Sequence, residues 1–164
     1  MDWKIESRQK SVAGVGGHNY LALVDPDGNI RGEFHGHLGP NRRLIHEETL
    51  ALPEVEGAAR PVVTGSKDEI DNNAWKRMKQ QADDLHGKAV YGLLSPNSNS
   101  FWGTVLRRSG FDPKESEPDS DLATPGTGLD LSNPLWWTPE HRWPGVTTPT
   151  EEEPSAIRPA YRLP

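Results

Sequence analysis

A histidine and a serine far apart in the chain could do covalent chemistry together. His18 heads an apolar run, and Ser98 sits inside Asn97-Ser98-Asn99-Ser100. A serine hydroxyl attacks a carbonyl only if one group takes its proton and another stabilises the charge that develops. An imidazole can do the first, and the free N–H groups at the start of a helix help with the second. The helix end contributes at most about 2 kcal/mol, which cannot hold a standing alkoxide. His18 would therefore have to act as a true general base in the transition state. His35, on the neighbouring strand, is the expected third partner that orients His18. Asn97, Asn99 and Ser100 crowd the same helix end and are expected to touch substrate. The plainer reading of that cluster is a helix capped several times over, with no catalysis.

The elements that would position these groups are legible to different degrees. From Tyr91 the chain reads as a short buried strand, a polar turn and then a helix. Pro96 suits the first turn of that helix, and Ser95 or Asn97 can cap it. Phe101, Trp102, Val105 and Leu106 supply its apolar stripe. Arg107 and Arg108 suit its negative end, and Gly110 stops it. Residues 18–24 and 29–36 flank Asp25-Pro26-Asp27-Gly28, which predicts a hairpin, since Pro presets φ and Gly accepts positive φ. Alternation puts Ile30, Gly32 and Phe34 on one face and Arg31, Glu33 and His35 on the other. Counting back from the turn brings His18 opposite Gly36 or His37. Residues 68–86 predict a second helix, capped by Asp71 or Asn72, with Ile70, Trp75, Met78, Ala82 and Leu85 inward and Gly87 after it. Residues 3–12 alternate weakly and predict an edge strand, and 60–64 a short strand. Pro40, Pro53 and Gly57 break up the segment from Leu38 to Ala59.

Composition bounds the rest. The 164 residues suit one ordinary domain with a modest core. Mean hydropathy is −0.76, so part of the chain is expected to stay outside that core. Ten of the 15 prolines lie from Pro113 onward, which divides the chain into a domain at 1–111 and an extended, acidic, Pro/Trp-rich arm at 112–164. Leu135, Trp136, Trp137 and Trp143 are too apolar for a plain disordered tail. The arm is expected to dock on its own domain or on a partner protein. Net charge is −6, with no long basic run, which argues against nucleic acid. No apolar run approaches 18 residues, so no membrane span is expected. The first residues do not read as a signal peptide. A soluble protein, cytoplasmic or exported by a signal-independent route, would look like this. The absence of cysteine removes disulfides, thiolate metal sites and a thiol nucleophile.

Two motifs carry a family resemblance. Asn97-Ser98-Asn99-Ser100-Phe101 resembles the Asn-Cys-Asn-(Ser/Thr)-Phe signature of circularly permuted papain-fold peptidases, the PPPDE or DeSI-like group. Gly17-His18, at a strand start ahead of that motif, matches the family's order. The pattern also resembles bacterial domains found near secreted and RTX-type proteins, which carry Asn-Ser-Asn. The resemblance spans about residues 11–111. It implies a permuted papain-like α+β fold, with a small antiparallel sheet and two helices on one side. It also implies a bacterial hydrolase-like domain acting on an amide or ester, with a secreted effector as one expected role, with Ser98 where the family's cysteine stands and no cofactor. The competing expectation is a non-enzymatic interaction or structural protein that keeps the scaffold and uses the arm to hold a partner.

His35-Gly36-His37, with His46, Glu47 and Glu48, forms a second constellation. Histidines at i and i+2 of a strand share a face and can share a metal. The spacing resembles the His-x-His of cupins, but no glutamate follows at the required distance, so no metal is expected. Glu151-Glu152-Glu153 reads as a solvated piece of the arm.

Overall fold

The computed structural model describes residues 2–12, 16–49, 58–92, 97–121 and 123–138. Five strands form one antiparallel sheet: β1 (Trp3–Val12), β2 (Gly16–Val24), β3 (Ile30–Leu38), β4 (Leu44–Thr49) and β5 (Ala59–Gly65), in the order β4-β3-β2-β1-β5. Helix α1 (Lys76–Leu85), entered through a wide π-type segment Asp68–Trp75, and helix α2 (Ser98–Arg108) pack on one face. A single turn, α3 (Pro113–Ser116), follows. The class is α+β.

The β2–β3 hairpin turns where Asp25-Pro26-Asp27-Gly28 requires it. Asp25 Oδ1 accepts from the backbone N–H groups of Asp27 at 3.0 Å and Asn29 at 2.8 Å, and Gly28 takes φ 86°. Burial works against the Asp25 charge, but hydrogen bonds from Asn29 and Arg31 hold its pKa down at about 2. Beside the turn, Leu23 pairs with Gly32 and Val24 with Ile30, so Arg31 bulges out of the ladder. Strict alternation therefore fails at one residue. Gly32 and Phe34 face the helices, but Ile30 packs on the opposite face with Tyr20, Ala22 and Val24.

Strand β1 is not an edge. It lies between β2 and β5, and β5, which contains Pro61, takes the edge where a missing N–H is tolerated. Helix entry at residue 66 also differs from the expectation at Asp71 or Asn72. Ser66 and Glu69 form a reciprocal box: Glu69 Oε2 accepts from the Ser66 N–H at 2.9 Å, and Ser66 Oγ accepts from the Glu69 N–H at 3.4 Å. The wide turn that follows brings Ile70, Ala74 and Trp75 inward together, and Phe34 stacks on Trp75 with ring centroids 4.1 Å apart. No regular strand forms at Tyr91. Ala89 and Val90 make isolated bridges to Trp137 and Arg43 instead, and 93–96, with Ser95 and Pro96, lie outside the described residues.

The core lies between the sheet and the helices. Ile5, Leu21, Leu23, Phe34 and Leu44 meet Met78, Leu85, Phe101, Trp102, Val105 and Leu106. Trp102 is fully buried and donates its indole N–H to Ser7 Oγ at 2.9 Å, tying α2 to β1.

Packing does not stop at 111. Leu131 is buried in the same core, and its N–H donates to Thr104 Oγ1 at 2.9 Å. Arg107 donates to the carbonyls of Thr127 and Leu129, and Trp137 donates to that of Leu131. The first half of the expected arm, to Thr138, is thus docked on its own domain. The remainder, with Trp143 and the glutamate run at 151–153, lies outside the described residues.

Candidate functional site

The hairpin brings two histidines together on the face of the sheet away from the helices. Leu21 pairs with Phe34, which leaves Tyr20 and His35 side by side and His18 one step beyond. Tyr20 and His35 stack at 4.5 Å between centroids, and His18 and His35 at 5.4 Å with an interplanar angle of 11°. His18 Nε2 lies 3.1 Å from His35 Nδ1, and His35 Nε2 lies 2.9 Å from Glu33 Oε2. Glu33 is buried on the same face, two residues before His35.

Electrostatics keep His18 neutral. Burial is the main cause, with His35, Lys10 and His37 adding like charge, and together they push its pKa down to about 3. Burial, then the Glu33 carboxylate, raises the Tyr20 phenol to about 12, so Tyr20 stays protonated. At neutral pH the site therefore presents an unprotonated imidazole backed by a second imidazole and a carboxylate. Glu33 was absent from the sequence-based candidates, although its spacing of two from His35 on a strand was the signal that it shares that face.

The start of α2 is built by its polar side chains. Asn97 is the N-cap, and its Oδ1 accepts from the N–H groups of Asn99 at 2.9 Å and Ser100 at 3.1 Å. Ser100 Oγ returns the box by accepting from the Asn97 N–H, and donates to the Gly126 carbonyl at 2.9 Å. Asn99 reaches sideways to β2. Its Oδ1 accepts from the Asn19 N–H at 2.8 Å, and its Nδ2 donates to the Gly17 carbonyl at 3.0 Å. Those two backbone groups flank His18, beyond the last described β2–β3 pair, so one side chain completes the ladder there as a strand would. Asn97, Asn99 and Ser100 were expected to touch substrate. In the structure their side chains bond to the chain itself.

Ser98 follows the cap directly and is 8% exposed. Among the described residues, no hydrogen bond joins it to His18 or His35. The loop at 123–126 lies over this end of the helix. Asn97 Nδ2 donates to the Pro125 carbonyl, and Gly17 N–H to that of Ala123. Gly126 has φ 89°, and a Cβ there would sit 2.8 Å from Asn97 Oδ1 and Ser100 Oγ, so only glycine closes the loop so tightly.

His35 and His46, of the second constellation, lie on opposite faces of the sheet. His46 points to the helix side, stacks on Phe101 and bonds Asp83 Oδ1 through Nε2 at 2.9 Å, while His35 is on the far side with His18. Among the described residues, no three His, Asp or Glu side chains gather as metal ligands would. The side chains of Glu47 and Glu48 lie outside the described part. No helix among the described residues is long and apolar enough to cross a membrane.

No family model, curated protein or solved structure matches the chain.

Proposed function

We propose that the chain is a hydrolase-like domain that cleaves an amide or ester, with His18 as general base and Ser98 as nucleophile. The observation that carries this reading is the line Glu33–His35–His18, held at 2.9 and 3.1 Å. It ends in a neutral imidazole whose two flanking backbone groups are clamped by Asn99, the residue next to Ser98. A base oriented by a second group beside a helix start is what acyl transfer by a hydroxyl needs. The permuted papain-like resemblance of the two motifs supports the same assignment.

A fluorophosphonate probe tests it. Ser98 should be labelled in the natural chain, and labelling should disappear in Ser98→Ala and fall at least tenfold in His18→Ala. Prolonged exposure with no adduct at Ser98 in folded protein would overturn the reading.

A second reading rests on a different observation. The four side chains at 97–100 are all buried, with 123–126 over them. This favours a non-enzymatic protein that keeps the scaffold as a rigid support and binds a partner protein. It takes over if the probe finds nothing.

A further inference from the structure

The two short contacts in the Glu33–His35–His18 line leave little freedom in where the protons sit. We propose that Glu33 is the positioning residue of the site, fixing both imidazoles in the Nε2–H form so that Nδ1 of His18 is the atom that accepts a proton. This inference rests on the hydrolase reading for its use, but not for its test.

An ionised carboxylate accepts hydrogen bonds and donates none. The 2.9 Å contact from Glu33 Oε2 to His35 Nε2 therefore requires the proton on His35 Nε2. In its neutral form His35 carries one ring proton, and its Nδ1 is then an acceptor. The 3.1 Å contact from that atom then requires the proton on His18 Nε2. What remains on His18 is the lone pair of Nδ1. The reverse arrangement would put two lone pairs against each other at Glu33, inside a buried site, at a large electrostatic cost.

The same line gives the proton taken up at His18 Nδ1 a counter-charge. On uptake, the imidazolium still donates from Nε2 to His35, which still donates to Glu33. The Nε2 proton of His18 can then pass to His35 Nδ1 while the Nε2 proton of His35 passes to Glu33 Oε2. That leaves two neutral imidazoles in the Nδ1–H form and a neutral carboxylic acid, with one proton gained overall. Lys10, His37 and Arg8 also face this cluster, and Tyr20 stacks against it. Glu6, on that face too, is held by Lys4 and Arg8, and Glu47 stands opposite His35 in the β3–β4 register. A second imidazole alone would not select a tautomer; the carboxylate at the end does.

Nitrogen NMR of the full chain reads tautomers directly. Long-range ¹⁵N–¹H correlations, assigned with His18→Ala and His35→Ala, should show both rings in the Nε2–H form at neutral pH. Glu33→Ala should release the lock and bring Nδ1–H signals into both rings. Glu33→Gln, whose amide oxygen can still accept, should keep both rings in the Nε2–H form and serves as the folded variant if Glu33→Ala fails to fold. An Nδ1–H tautomer at His35 in the natural chain would overturn the proposal, as would rings unchanged in a folded Glu33→Ala. The phosphonate result is independent: locked tautomers with an unlabelled Ser98 would leave the relay standing and remove the hydrolase reading, whereas a labelled Ser98 with free tautomers would do the reverse.

Discussion

Two histidine–carboxylate pairs sit on opposite faces of the same sheet, His35–Glu33 and His46–Asp83, each with 2.9 Å between nitrogen and oxygen. Their surroundings differ. The Glu33 side chain is 4% exposed and that of Asp83 is 53% exposed. The second ring nitrogen of His35 meets His18, while Nδ1 of His46 is buried without a hydrogen-bond partner among the described residues. Burial lowers the pKa of His46, and Asp83 only partly offsets this. The first pair can pass a proton on to another group, and the second is a clip between β4 and α1. A short His–carboxylate contact therefore says little about chemistry until the other nitrogen is followed.

The largest expected difference between the pairs is in thiol reactivity. In Ser98→Cys, the only cysteine in the chain, alkylation measured against pH should show a midpoint below the free value of about 8.5. Adding His18→Ala should raise that midpoint by a unit or more, and His35→Ala should do the same to a smaller extent. Adding His46→Ala should leave it in place. A midpoint near 8.5 that ignores His18 would erase the distinction between the two faces.

Acid stability should separate the pairs next. An unfolded His18 takes up a proton near its ordinary value of 6.5, and the folded one resists until about 3. Through that window the unfolded chain holds more protons, so stability falls as pH drops, by up to about 1.4 kcal/mol per pH unit for one proton. His46 shifts in the same direction and adds to the slope. Carboxylates held low, such as Asp25 and Glu6, contribute only below their unfolded values near 4. Thermal unfolding followed from pH 6.5 to 5 thus isolates the histidines. His18→Gln should flatten the slope more than His46→Gln, and equal slopes would count against the large downward shift at His18.

Neutral-pH stability gives a smaller contrast. Glu33→Ala removes a buried hydrogen bond to a charged group, at a cost of about 1.5–3 kcal/mol. Asp83→Ala removes a half-exposed partner, at a cost under about 1 kcal/mol. Urea unfolding of the two variants would measure the difference. The smallest effect expected is that of a strong chelator, which should leave the melting temperature unchanged. A shift of several degrees would mean that histidines of one face share a metal.

Much of the sheet could be read from residue order because local chemistry dictated it. The Asp25–Gly28 turn has its own hydrogen bonds, and the cap at Asn97 is a side chain acting within three residues. What could not be read depends on contacts between distant parts. The bulge at Arg31 turned Ile30 over, and the partner of β1 arrives more than fifty residues later. The Ser66–Glu69 box is a local signal of the same kind as the Asn97 cap, acting within three residues. At the site, His18 and His35 could be placed near each other by counting from a turn. The bonds that occupy Asn99 and Ser100 could not, because they depend on where β2 and the 123–126 loop come to lie.

The placement of Leu131 has a consequence for biosynthesis. Helix α2 leaves the ribosome before the segment that fills its outer side, and Thr104, Arg107 and Arg108 have to wait for partners at 127–132. A nascent chain halted after Gly110 would expose the groove that Leu131 fills and leave Asn97 and Ser100 without the Pro125 and Gly126 carbonyls. Until about residue 138 has emerged, the growing chain holds an unfinished core, a state open to chaperones and to proteases.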